Sequence, residues 1–154
     1  MRMTSLVKKT YEELEPLIKT SLPEFVGLKG SKGPDIDKFL IKQQDEEVFH
    51  LYGLEVNKEI AGYISYWKID EDTIAIGPMY IFKQFRKRGL GKTQIELLIE
   101  LAKNEGYKKI FTKTWGQNKA SRKIVEGLGF TLTKEKPSDR LNGDSTVSYS
   151  LSVN

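Results

Sequence analysis

Seven consecutive residues, Arg86, Lys87, Arg88, Gly89, Leu90, Gly91 and Lys92, carry the clearest chemical information in the chain. They set four cations around two glycines, where a predicted strand gives way to a predicted helix. The first turn of a helix has backbone N–H groups with no partner inside the helix. The aligned peptide dipoles add partial positive charge at the same end. Together they form an anion site suited to phosphate. Glycine lets the main chain approach an anion closely and adopt positive φ, and the four basic side chains add charge around it. The segment therefore predicts a backbone cradle for a phosphate-bearing molecule. The plainer alternative is a strand-to-helix turn that uses glycine for geometry alone.

A competing motif ends the same way. Gly91-Lys92-Thr93 imitates the close of the phosphate loop of nucleotide hydrolases, which also needs a glycine five positions before the last one. That position is Arg86, and the strand predicted at 109–114 has no carboxylate to hold magnesium. The nucleotide hydrolase is thus a secondary reading.

The elements that must position the turn can be read from periodicity and punctuation. Strands are predicted at residues 5–9, 47–56, 60–69, 73–82, 109–114, 130–134 and 146–153. Thr10 and Glu13 have capping-box spacing and open a helix to about Ser21, with Leu14, Leu17 and Ile18 inward. Residues 27–34 are a glycine-rich loop, and 34–44 a second helix with Ile36, Phe39 and Leu40 on one side. The strongest helix spans 91–105: Ile95, Leu98, Ile99 and Ala102 share one face, and Gly106 follows as a carboxyl-terminal cap. Asn118 is placed to cap a last helix, with Ser121, Ile124, Val125 and Leu128 along one side and Gly129 ending it. The segments at 47–82 read as an antiparallel meander. Gly77-Pro78 interrupts its third strand, and because proline cannot donate to a ladder, a bulge or splayed edge is expected there. The fold class is mixed α/β: a central, mostly antiparallel sheet of about seven strands with helices on its faces.

Composition narrows the function classes. A chain of 154 residues fits one domain spanning 1–154, and it can bury roughly 70% of the surface its unfolded form exposes. No cysteine is present, which excludes disulfides, thiolate metal sites and a cysteine nucleophile. The first ten residues are too polar for a secretory signal, and no apolar run approaches a membrane span; a cytoplasmic protein is expected. A formal charge of +4, from 25 basic and 21 acidic residues, is only mildly basic. Basic residues cluster at 83–92 and 103–123, either as an ordinary solvated face or as a patch suited to a polyanionic cofactor, whereas a nucleic-acid binder usually gathers its charge on one face.

The segment from Arg86 to Gly91 resembles the Arg/Gln-x-x-Gly-x-Gly/Ala signature of the GNAT superfamily of N-acetyltransferases. Asn118 through Gly129-Phe130 resembles that family's second hallmark, a helix opened by asparagine and closed by Gly-Phe. The resemblance is close over residues 73–130, and the order of elements outside it agrees. It implies a single GNAT-like domain with a splayed strand pair, using acetyl-CoA as acyl donor and no metal. The pyrophosphate would rest on backbone N–H groups of Lys87, Arg88, Gly89, Leu90, Gly91 and Lys92, with Arg86 nearby. The pantetheine arm would add like a strand to Met79, Tyr80 and Ile81, and Asn118 would contact the arm or order a water. Ser121 would face the arm. The chemistry implied is direct attack by a neutral amine on the thioester, with a main-chain N–H of the splayed strand stabilising the oxyanion. The acceptor would be a small-molecule, peptide or protein amine, and dimerisation is common in the family.

One position departs from the pattern. The tyrosine that commonly returns a proton to the leaving thiolate falls at Val125, which has no proton to give. Ser121, one turn earlier, Tyr80 and Tyr149 are substitutes, and water is another. For a general base, Glu55, Asp70 and the single histidine His50 come into view, each also explained as a solvated or structural group. Tyr63, Tyr66, Trp67 and Trp115 are candidate linings of an acceptor pocket, with the loop at 27–34 as its rim. A non-catalytic acyl-CoA-binding module stays open beside the enzyme.

Overall fold

The computed structural model describes residues 3–21, 48–139 and 143–153. The loop at 27–34 and the helix expected at 34–44 lie outside these residues. Strand β1 (Thr4–Lys9) leads into helix α1 (Tyr11–Ser21). The capping box forms as its spacing requires: the Thr10 N–H donates to Glu13 Oε1 at 3.0 Å, and the Glu13 N–H donates to Thr10 Oγ1 at 3.2 Å. The meander follows as β2 (Phe49–Val56), β3 (Glu59–Lys68) and β4 (Thr73–Ile81). Helix α2 (Leu90–Asn104), strand β5 (Lys109–Trp115), helix α3 (Lys119–Gly127) and strands β6 (Thr131–Lys136) and β7 (Thr146–Ser152) complete the described chain.

The seven strands form one sheet in the order β1-β2-β3-β4-β5-β7-β6. Every neighbouring pair is antiparallel except β4 with β5. A parallel pair needs a crossover, which α2 supplies. The expected mixed, mostly antiparallel sheet is therefore present.

Helices cover both faces. Side chains alternate across a strand, so Tyr63 and Tyr66, three apart on β3, point to opposite sides. Ser21 Oγ at the end of α1 lies 2.6 Å from the Tyr63 hydroxyl, whereas the Tyr66 hydroxyl donates at 2.8 Å to Glu105, just beyond α2. Helix α1 and helix α2 thus lie on opposite faces. On the α2 side, Ile95, Leu98 and Ala102 pack with Ile64, Ile74 and Ile110, all fully buried or nearly so. Burying each large aliphatic side chain there stabilises the fold by roughly 1.5–3 kcal/mol. On the α1 side, Leu14 and Ile18 pack in the cluster that holds Leu51 and Tyr63.

The sheet opens in the middle. β4 and β5 are in register only from Thr73 to Ala75 against Lys109 to Phe111. Just beyond, Ile64 opposes Met79 and Tyr66 opposes Ile76, so Gly77 and Pro78 together face the single residue Ser65. This is the bulge that Gly77-Pro78 predicted, and it bends β4. A Cβ at position 77 would lie 2.5 Å from Ser65 Oγ, so a larger residue there must displace that hydroxyl.

Candidate active site

The bulge leaves one edge of β4 free where it parts from β5. The Phe82 N–H donates to the Ala61 carbonyl at 2.9 Å. Main-chain groups along an antiparallel strand alternate in direction, so Tyr80 also directs its main chain toward β3. Met79 and Ile81 then turn theirs the other way, into the gap beside β5. The Arg86 side chain supports this alternation: its Nε donates to the Ile81 carbonyl at 2.9 Å.

A one-turn 3-10 helix (Lys83–Phe85) follows β4 and leads into the glycine turn. Phe85 is buried and anchors it, and the Arg88 guanidinium sits 5.5 Å above the Phe85 ring. Lys87 and Gly89 both have positive φ, at 64° and 72°. Left-handed backbone costs an L-residue roughly 1–2 kcal/mol and glycine far less, so Gly89 is the residue this position needs. It is the N-cap of α2, with no side-chain cap and no acidic residue in the first turn. The Thr93 hydroxyl bonds back to the Gly89 carbonyl at 3.1 Å. The first-turn N–H groups are therefore left to an external acceptor, with Arg86, Lys87, Arg88 and Lys92 around them. Gly91 serves a different end: a Cβ there would lie 3.2 Å from Ile124 Cδ1, so its absence lets α2 and α3 approach.

Helix α3 borders the gap from the β5 side. Asn118 caps it, accepting the Ser121 N–H at 3.3 Å, and its Nδ2 donates to Thr114 Oγ1 of β5 at 2.8 Å. Both ends of the Asn118 amide are thus engaged within the protein. Ser121 is partly exposed in the first turn of α3. Val125 is 3% exposed and part of the core between α2 and α3.

The structure separates the other candidates. Tyr80 stacks near Tyr63, with ring centroids 6.1 Å apart, and carries the Arg86 guanidinium 4.9 Å above its ring. Tyr149 is fully buried, and its hydroxyl donates to Glu126 at 2.5 Å while accepting from Arg122 Nε at 2.8 Å. It is a brace between β7 and α3, which corrects its reading as a proton donor. Tyr63 and Tyr66 are also core residues, so they do not line an acceptor pocket as expected. Trp115 ends β5 opposite Thr146 and remains partly exposed. Glu55 pairs with Lys9 at 3.6 Å. Asp70 accepts the Asp72 N–H at 2.9 Å in the β3–β4 turn, at the far end of β4 from the glycine turn. Backbone hydrogen bonds there hold the Asp70 carboxyl below its ordinary value. His50 stacks on Tyr66 at 4.8 Å, and burial lowers its pKa. None of these three takes the place of a base at the gap.

Two supports went unread in the sequence. Arg122 donates to the Gly116 carbonyl at 3.0 Å as well as to Tyr149, tying the β5–α3 turn to the sheet. Its spacing to Glu126 was visible, but the tyrosine between them comes from a distant strand. Asp144 accepts the Gln117 N–H at 2.9 Å and fixes the same turn from the β7 side.

The arrangement as a whole is shared with known proteins. Residues 13–130 match the model of the Acetyltransferase (GNAT) family. An uncharacterized N-acetyltransferase of Lactobacillus delbrueckii subsp. lactis is 25% identical over 140 residues, covering 74% of this chain and 81% of that protein. Among solved structures, yncA from Salmonella typhimurium with its cofactor acetyl-CoA superposes with a TM-score of 0.78, 18% identity, and coverage of 99% of this chain and 95% of that one. A Bacillus subtilis acetyltransferase in complex with CoA gives 0.77, 20% identity and full coverage of both chains. The ribosomal-protein-S18-alanine N-acetyltransferase of Escherichia coli gives 0.79, 16% identity, and coverage of 99% and 95%. At these identities the structural matches speak for the fold.

Proposed function

The chain belongs to the GNAT acetyltransferase family, and on that premise we propose that it moves the acetyl group of acetyl-CoA onto a primary amine by direct attack on the thioester. The observation that carries the reading is the pairing of two features at one end of β4: a free main-chain edge and an uncapped, glycine-led helix start ringed by cations. The donor set fits a long molecule with a polyanionic end and an amide-bearing arm. Lys87, Arg88, Gly89, Leu90, Gly91 and Lys92 hold its pyrophosphate; Met79, Tyr80 and Ile81 line its arm; Asn118 and Ser121 border it from α3. Acetyl-CoA supplies the activated acyl group.

The chain's own contribution is binding, orientation and charge stabilisation. A Met79 main-chain N–H facing the gap is placed to donate to a developing oxyanion, where a fixed donor is worth more than water. With valine at 125, the proton for the leaving thiolate comes from Ser121, Tyr80 or water. The acceptor is a small-molecule, peptide or protein amine, and the chain works as one domain spanning 1–154 in the cytoplasm. No described helix is long and apolar enough to cross a membrane.

Val125 also favours a second reading, a module that binds acyl-CoA without turning it over. Free-thiol release from acetyl-CoA, measured with polyamines, amino acids and peptide amino termini, is paired with calorimetry on CoA. Saturable CoA binding with amine-dependent thiol release supports the enzyme. Binding with no release across the panel supports the module, and absence of binding defeats both.

A further inference from the structure

Arg86 was expected to serve a bound phosphate, yet its side chain turns back onto β4. Its Nε donates to the Ile81 carbonyl at 2.9 Å and its guanidinium lies 4.9 Å above the Tyr80 ring. Ile81 is one of the two residues whose main chain faces the gap. One lone pair of its carbonyl is therefore taken by Arg86, while the Met79 N–H, the Met79 carbonyl and the Ile81 N–H face the gap beside β5.

We propose that Arg86 is a positioning residue that fixes the register of the cofactor arm along β4. The inference rests on the acetyl-CoA reading above. A pantetheine arm carries two amides, each with one donor and one acceptor. An arm donor that pairs with this edge of β4 finds the Met79 carbonyl a better acceptor than the Ile81 carbonyl, which it would share with Arg86. Freeing the Ile81 carbonyl makes it an equal acceptor two residues along. At about 3.4 Å per residue, a slip to it moves the arm by roughly 7 Å. Such a slip carries the thioester away from the bulge at Gly77 and Pro78 while the pyrophosphate stays on the first turn of α2, the slack being taken up in the flexible arm between them. Tyr80 takes part by holding the guanidinium flat against the strand. The alternative for Arg86 is a simple charge contact with phosphate, and the two roles leave different marks.

Arg86→Met, Arg86→Gln and Tyr80→Leu separate them. Displacement of reacting groups by even an ångström can cost about a hundredfold in rate. Arg86→Met is therefore expected to lose roughly tenfold to a hundredfold in kcat, with the Kd for CoA by calorimetry changing by less than about threefold. Arg86→Gln keeps a planar N–H donor without the charge and is expected to recover most of that kcat. Tyr80→Leu removes the platform and keeps the charge; it is expected to lose kcat in the same pattern. Tyr80→Phe, which keeps the ring and removes only the hydroxyl, is expected to retain kcat, and a kcat loss in both would mark Tyr80 as a proton donor instead. Amide hydrogen exchange gives a readout independent of turnover. Acetyl-CoA should protect Met79 and Ile81 in the unmodified protein, and in Arg86→Met the protection of Met79 should fall while that of Ile81 stays. The proposal is overturned if Arg86→Met weakens CoA binding, flattens its salt dependence and leaves kcat at saturation intact. That result would leave the acetyl-CoA reading standing, whereas an unmodified protein that neither binds CoA nor releases thiol would remove both.

Discussion

Asn118 ties β5 to α3: its Nδ2 donates to the Thr114 hydroxyl at 2.8 Å, while its Oδ1 accepts the Ser121 N–H at 3.3 Å. One side chain thereby sets the angle at which α3 leaves the sheet beside the gap. An N-cap replaced by alanine typically costs about 1 kcal/mol. Asn118→Ala should lose that much, read by urea unfolding, and should also raise the KM for acetyl-CoA because the gap loses its α3 wall. Asn118→Ser keeps a cap oxygen but is too short to reach Thr114 as well, so it should fall between alanine and the unmodified protein in both measurements. Equal KM values for all three would show that the cap has no part in cofactor binding.

The glycine turn gives two distinct expectations. A Cβ at Gly89 meets nothing within 4 Å, but φ there is 72°. Gly89→Ala should thus cost about 1–2 kcal/mol through backbone strain and weaken CoA binding by tilting the first-turn N–H groups. A Cβ at Gly91 would lie 3.2 Å from Ile124 Cδ1, so Gly91→Trp must drive α2 and α3 apart. Calorimetry with CoA reads both variants. A Gly91→Trp protein that is folded by circular dichroism and binds CoA with unchanged affinity would defeat the backbone cradle.

Much of this geometry was legible because it is local. The Thr10–Glu13 capping box, the bulge at Gly77-Pro78, the left-handed Gly89 and the Asn118 cap each depend on a few neighbouring residues, and each forms. Arg86 was legible as a cation but not in its role, since its partner Ile81 is a carbonyl with no residue-type signal. The placement of β7 between β5 and β6 also escaped the sequence: register pairs such as Thr112 with Tyr149 join distant segments that nothing local connects. Tyr63, Tyr66 and Tyr149 look alike as strand aromatics. Only the tertiary structure shows that their hydroxyls meet Ser21, Glu105 and Glu126 respectively.

Those buried phenols predict the alkaline limit of stability. Burial, followed by the hydrogen bond to Glu105, pushes the Tyr66 pKa well above its ordinary 10.0, and burial with Glu126 raises that of Tyr149. A raised folded-state pKa gives stability that is fully present below the unfolded value and is lost as pH climbs through the folded one. The unfolding free energy should therefore fall above about pH 10, with a slope of up to about 1.4 kcal/mol per pH unit for each phenol. His50 acts at the other end. Its lowered pKa favours the neutral ring in the folded state, so its contribution holds above 6.5 and is lost as pH falls. Urea titrations from pH 5 to 11 read both limbs, and Tyr66→Phe should flatten the alkaline one. An unchanged alkaline slope in Tyr66→Phe would show that the phenol does not resist ionisation in the fold.

Gln94 sits fully buried in α2, one turn after Leu90, and neither its Oε1 nor its Nε2 has a hydrogen-bond partner among the described residues. An amide buried in this way costs about 1–3 kcal/mol. Leucine has a similar volume, sits well in a helix and has no polar atoms to satisfy. Gln94→Leu should therefore stabilise the protein by about 1–3 kcal/mol, which for a chain of this size raises Tm by roughly 2–4 °C per kcal/mol. The substitution leaves the first-turn N–H groups and the surrounding cations untouched, so the CoA Kd should hold while Tm rises. A lower Tm would mean that the amide is satisfied in solution. A higher Tm accompanied by lost CoA affinity would mean that the buried amide serves the cradle, a cost in stability kept for binding.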